Sequence, residues 1–133
     1  YEEGKGTIVA YSEMPVLERL KDRIYESFIK QHFDEPIELI AEGNCYTNNF
    51  KQGIGWHGDS ERKLVVGVRL GAKMILKFAW FHRSLPASKS HEITLHHGDI
   101  YIMSSKAVGS DWNLRSKYTL RHCAGSFFFT KDK

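Results

Sequence analysis

No apolar run in this chain of 133 residues is long enough to cross a bilayer, and no secretory leader opens it. Membrane insertion is therefore not expected. Cysteine is scarce: Cys45 and Cys123 give neither a disulfide framework nor a zinc spacing. A reducing compartment, and so an intracellular place in nucleus or cytoplasm, is the expectation. Repeats, low-complexity tracts and linkers are missing as well. That points to a single domain over residues 1–133 with one core, expected to be a monomer. Neither sign of charge dominates: 19 Lys and Arg against 16 Asp and Glu leave a net +3. This permits a phosphate-rich partner without demanding one. The first residue is Tyr1 rather than methionine. The chain is expected to be a trimmed piece, from which targeting signals could be missing.

Histidine, by contrast, is plentiful, with seven in the chain. Two of them stand in identical tripeptides, His57-Gly58-Asp59 and His97-Gly98-Asp99. His-x-Asp can set an imidazole and a carboxylate on one side of a metal. One further, distant histidine completes the 2-His-1-carboxylate face of non-haem Fe(II) oxygenases, which leaves coordination positions open. The tripeptide alone is a weak signal, so the two occurrences have to be told apart.

Met14-Pro15 opens a helix, since proline suits the first turn. Val16, Leu17, Leu20, Ile24, Phe28 and Ile29 recur at helical spacing and mark one apolar face, fading near Gln31. Thr7–Tyr11 reads as an entry strand. After Pro36 the pattern changes to short β-type runs separated by Gly, Asn, Ser and His. Strands are predicted at Glu38–Ala41, Cys45–Asn48, Leu64–Leu70, Met74–Phe81, His91–Leu95, Ile100–Met103, Lys117–Arg121 and Ser126–Thr130. Gly67, inside the strongest run, suggests a buried point of close approach. One helix followed by many strands predicts an α+β domain whose sheets form a sandwich or squashed barrel.

Chain distance separates the two tripeptides. From Asp59 to His122 there is room for four or five strands, enough to traverse two sheets and return. From Asp99 to His122 there is room for one strand and a loop. Gly98-Asp99 between two strands suits a tight turn. His57, Asp59 and His122 are therefore the expected metal ligands and the expected catalytic residues, and His97-Gly98-Asp99 the expected turn.

Several ordered pieces between Asn44 and Gly125 resemble the Fe(II)/2-oxoglutarate-dependent oxygenases, and within them the AlkB-like branch. Asn44-Cys45-Tyr46 is similar to the family's Asn-x-Tyr strand. His57-Gly58-Asp59-Ser60-Glu61 is similar to its iron loop, and Val68-Arg69-Leu70-Gly71 to a strand end that follows. Leu95 to Met103 resembles the Leu-x-His-Gly-Asp strand, which assigns the second tripeptide to structure. The resemblance implies a double-stranded β-helix (jelly-roll) core with an N-terminal packing helix. It also implies Fe(II), 2-oxoglutarate and O₂ as cofactor and co-substrates. Asn44 and Tyr46 would then contact 2-oxoglutarate, and Lys131, on the predicted strand after His122, would pair with its far carboxylate. Arg69 and Arg121 are the alternative cations. Arg115, Thr119 and Arg121 match the branch's arginine strand in spacing, but no histidine lies between Asp99 and Arg115: either His122 is the second imidazole and the arginine pair a coincidence, which is the favoured reading, or the triad is incomplete.

The implied activity is oxidation, with demethylation, of a nucleic-acid base. An extruded base needs an aromatic platform and an acceptor for its edge. Trp56 and Glu61, beside the iron loop, are the leading candidates for substrate binding; Trp80, Phe81, His82, Arg83 and Trp112 are further candidates, with Trp80 and Phe81 more in keeping with a core. Lys73, Lys77, Arg83, Lys89, Lys106, Arg115 and Lys117 offer phosphate contacts but are spread over several loops. Two rival readings stand: a protein side-chain hydroxylase of prolyl type, which a lysine at Lys131 would suit, and a non-catalytic β-sandwich binding module.

Overall fold

The computed structural model describes residues 8–48 and 51–132 and forms two compact units, Tyr1–Asn44 and Cys45–Lys133. No helix among the described residues is long and apolar enough to cross a membrane.

In the first unit a 3₁₀ turn at Tyr11–Glu13 leads into α1 (Pro15–Ile24) with proline at the helix start. The helix runs on through a wider π turn, Tyr25–Ile29, into α2 (Lys30–His32). Its predicted place and length hold. Leu17, Leu20, Ile24 and Phe28 are half-buried and Ile29 is buried, whereas Val16, on the first turn, is 70% exposed. The predicted strand at Thr7–Tyr11 is not one: residues 8–10 pair with nothing described, Tyr11 starts the turn, and Thr7 lies outside the described residues. Glu38–Ala41 is also unpaired and exposed for the most part. β-type residues form a strand only where a neighbouring ladder satisfies them.

The second unit is α+β, with antiparallel pairing throughout the described strands. Among the described residues there are seven strands: β1 (Gly53–His57), β2 (Val65–Val68), β3 (Met74–His82), β4 (Leu85–Pro86), β5 (His91–Leu95), β6 (Ile100–Met103) and β7 (Tyr118–Gly125). They form two sheets, β1-β7-β3-β4 with β5 also on β3, and β2-β6. Four of the predicted strands are thus found in β2, β3, β5 and β6, and the fifth extends to Gly125 in β7. Cys45–Asn48 is not a strand.

Three elements escaped the pattern. β1 carries Gly53 and Gly55 and reads as a loop until β7 pairs with it. β4 follows a turn in which Arg83 and Ser84 both take positive φ, 51° and 68°; the usual Asn-Gly or Asp-Gly signal of such a hairpin is absent. α3 (Ser105–Val108) is a single turn capped at its start by Ser104, whose hydroxyl accepts from the Ala107 amide, and closed by left-handed Gly109. The predicted strand Ser126–Thr130 is instead helical, α4 (Phe127–Thr130). The Ser126 carbonyl collects the amides of Phe129 and Thr130 and the Thr130 hydroxyl. Those local bonds close a turn, leaving Phe127 and Phe128 exposed.

Register assigns the faces of the larger sheet. His122 lies opposite Phe78, and Leu120 opposite Trp80. Arg121 lies opposite Ala79, and Cys123 opposite Lys77. Successive residues of a strand point to opposite faces. One face therefore carries Leu76, Phe78, Trp80, Leu120 and His122, and the other Lys77, Ala79, Phe81, Arg121 and Cys123. Leu76, Ala79, Phe81 and Cys123 are all buried, so both faces are covered. In the smaller sheet Gly67 is opposite Tyr101, whose ring occupies the place a Cβ at Gly67 would take. Gly67 itself is half-buried rather than buried.

Candidate metal centre

β1 and β7 run antiparallel with His57 opposite His122, after a bulge between Ile54 and His57. The bulge inserts a residue and re-aims the strand end, so both imidazoles stand on one face, with ring centroids 4.3 Å apart. Asp59, two residues past the strand, brings its carboxylate between them: Oδ1 is 3.6 Å from His57 Nε2 and Oδ2 3.8 Å from His122 Nε2. One ligand atom from each of the three side chains lies within 4.8 Å of the others, and among the described residues no other group of three or more His, Cys, Asp or Glu side chains does so.

The chemistry of the three donors fits a divalent metal. His57 Nδ1 lies 2.7 Å from the Gly55 carbonyl. Only a protonated Nδ1 can donate there, which leaves the Nε2 lone pair facing Asp59. Burial holds His122 well below the usual imidazole range, down to about 4, aided by His57 and opposed by Asp59. It therefore stays neutral, the form that ligates. His122 Nδ1 is buried without a hydrogen-bond partner. Arg62 Nη1 lies 3.4 Å from Asp59 Oδ2, the same oxygen that faces His122. Cys123, next in the strand, faces away, and its thiol is pushed up to about 12 by burial. It is no thiolate ligand.

The segment Gly58–Ser60 is held by residues 104–113, a grip that the sequence reading missed. The Asp59 amide donates to the Val108 carbonyl at 3.0 Å. Ser60 Oγ accepts from Trp112 Nε1 at 2.9 Å and from Asn113 Nδ2 at 3.0 Å. A Cβ on buried Gly58 would meet the Gly109 carbonyl oxygen at 2.5 Å and Trp112 Cβ at 2.7 Å. The Ser104 cap and Gly109 stop were the sequence signals for this segment.

The residues expected around the metal divide. His57, Asp59 and His122 meet. Trp56 turns the other way, onto Phe81 with ring centroids 5.6 Å apart. It lines a cavity of about 400 Å³ with Ala79, Phe81 and Lys89, on the face away from His122. It is not a platform beside the metal. Glu61 is exposed in the turn after Asp59. Arg121 also points to the far face, over the Phe81 ring at 4.6 Å. Lys131 follows a helical turn rather than a strand; its ammonium sits 5.2 Å over the Phe128 ring, and its carbonyl accepts the Trp56 indole at 3.1 Å. Asn44 is exposed in the first unit, 3.4 Å from Glu42. Tyr46 belongs to the second unit and lies within electrostatic reach of Tyr101, whose hydroxyl pKa is raised by burial and then by Tyr46. The contacts described for Arg121 and Lys131 do not include His57, Asp59 or His122.

What lies on the metal face instead is a row of rings. Phe78 is 6.1 Å from His122, and Trp80 comes next along β3, 39% exposed with Lys106 5.4 Å above it. His82 then stacks on Tyr118 at 4.7 Å and 19°. The sequence offered Trp80 as a substrate candidate while favouring a core place for it, and Trp80 is exposed.

No protein-family model matches the chain. An uncharacterized protein of Acanthamoeba polyphaga mimivirus is 40% identical over 131 residues, which are 98% of this chain and 49% of that protein. The chain thus spans about half the length of the curated relative it matches. No solved structure matches.

Proposed function

We propose that the protein is an Fe(II)- and 2-oxoglutarate-dependent oxygenase of the AlkB-like kind, acting on a nucleic-acid base. The observation that carries the reading is the convergence of two imidazoles and one carboxylate, His57, Asp59 and His122, on one face. That donor set suits Fe(II) and leaves positions open. The bound metal would supply O₂ activation, with 2-oxoglutarate as the electron source. The chain's own part is to fix the two Nε2 atoms and the carboxylate, and to keep His122 neutral and dry. The co-substrate rests on the resemblance of the ordered motifs, not on the side chains around the metal.

The fold is proposed to be a jelly roll. β1 pairs with β7, β2 with β6 and β3 with β5. These pairs nest around β4 like one long antiparallel hairpin, and rolling that hairpin up brings β7 onto β3. The base reading is supported by the row Phe78, Trp80 and the His82–Tyr118 stack, since unpaired bases bind by stacking on rings.

Succinate formation by the protein with Fe(II), 2-oxoglutarate and O₂ tests the reading. Methylated oligonucleotides should raise turnover and proline-rich peptides should not. Turnover with peptide alone overturns the nucleic-acid substrate. Absence of both turnover and Fe(II) binding overturns the enzyme in favour of a binding module.

A further inference from the structure

Arg121 is a charged side chain that the proposed function does not use. It is 7% exposed. Its Nη2 reaches only a hydroxyl, Ser84 Oγ at 3.3 Å, and its Nε is buried without a partner. No carboxylate is among its described contacts. What it has instead is aromatic: Phe81 at 4.6 Å on one ring and Trp112 at 5.2 Å on another. A planar guanidinium between rings is held by stacking and cation–π attraction, which lysine does not reproduce.

Trp112 carries that constraint onward. Its indole N–H ends on Ser60 Oγ, next in sequence to Asp59, and its Cβ packs where Gly58 has none. Arg121 is in turn next to His122. The chain of contacts Phe81–Arg121–Trp112–Ser60 therefore ties the loop that bears one metal ligand to the strand that bears another. These two segments share no ladder: β1 ends at His57, and Asp59 lies beyond it. A loop carboxylate free to swing by an ångström would leave the metal face incomplete, and fixing such ligands is the task of outer contacts.

We propose that Arg121, Trp112 and Ser60 are positioning residues that hold Asp59 in register with His122, and that Arg121 is not a cation for a bound carboxylate. The proposal rests on the metal-site reading but not on iron, 2-oxoglutarate or a nucleic-acid substrate.

Calorimetric titration of Mn²⁺ into the whole chain tests it, beside the melting temperature of the metal-free protein. Ser60 is exposed, so Ser60→Ala should melt with the wild type yet bind Mn²⁺ about 10- to 100-fold more weakly. Ser60→Thr should restore the affinity. Arg121→Lys should weaken binding by a similar factor although the charge remains. The double variant Ser60→Ala/Arg121→Lys should lose little more than the worse single one, because both break one chain of contacts. Wild-type affinity in both single variants overturns the proposal while leaving the metal site standing. A lowered melting temperature with unchanged affinity reduces the contacts to structure and overturns it as well. A wild-type protein that binds no Mn²⁺ removes the metal reading itself, and the proposal with it.

Discussion

Gly58 and Gly98 occupy the same place in two identical tripeptides, and glycine is needed at each for a different reason. At Gly98 φ is +89° and a Cβ would meet nothing within 4 Å, so the requirement is conformational. At Gly58 φ lies outside that left-handed range, and the requirement is space, because Gly109 and Trp112 fill the position of a side chain. The flanking residues diverge likewise. His97 Nδ1 accepts the Gly71 amide at 2.9 Å, and Asp99 Oδ2 accepts the His96 amide at 2.6 Å. His97 Nδ1 is thus engaged by the loop between β2 and β3, and Asp99 Oδ2 by the turn between β5 and β6. His57 instead donates from Nδ1 to its own strand's backbone, and His57 Nε2 and the Asp59 carboxylate face each other and His122. Identical residues become a turn in one setting and, in the other, part of a donor group that could hold a metal, because the partners are supplied by other strands.

The largest way to break this contrast is at the ligands. His122→Ala or Asp59→Ala should abolish binding of Mn²⁺ or Fe(II) in calorimetry, whereas His97→Ala should leave the affinity at the wild-type value. Loss on His97→Ala, or retention on His122→Ala, would reverse the assignment of the two tripeptides.

The glycines come next. Gly58→Ala forces a Cβ into Gly109 and Trp112, an overpacking expected to cost about 3 kcal/mol in urea unfolding and to weaken metal binding. Gly98→Ala strains the backbone alone, about 1 kcal/mol, with metal affinity unchanged. Equal costs would mean that the two glycines are not distinguished by space.

The smallest effect is at the second carboxylate. Asp99→Asn keeps an oxygen for the His96 amide and should lose about 1 kcal/mol, the difference between a charged and a neutral acceptor. A cost well above that, or any change in metal affinity, would show that Asp99 does more than close the turn.

The helix from Pro15 was legible because proline and a 3.6-residue apolar period coincide there. β2, β3, β5 and β6 were legible from compact runs such as Val65-Val66-Gly67-Val68. Within the site, His57, Asp59 and His122 could be chosen from chain distance. β1 was illegible because its glycines mimic a loop, and Ser126–Thr130 misled because three phenylalanines favour a strand until Ser126 closes a turn on them. Arg121 and Trp56 were misplaced for one reason. Each neighbours a metal histidine in sequence, and on a strand the next residue points to the other face.

By itself the sequence determined the helix, most of the strands, and which three residues could form a metal face. Those depend on local periodicity and spacing, which a chain carries before it folds. The tertiary structure alone decided that Asp59 sits between two imidazoles, that residues 104–113 grip its loop, and that Arg121 stacks between rings behind the sheet. Such facts depend on strand register and on contacts between residues some 50 positions apart, such as Ser60 with Trp112, and no local pattern encodes them.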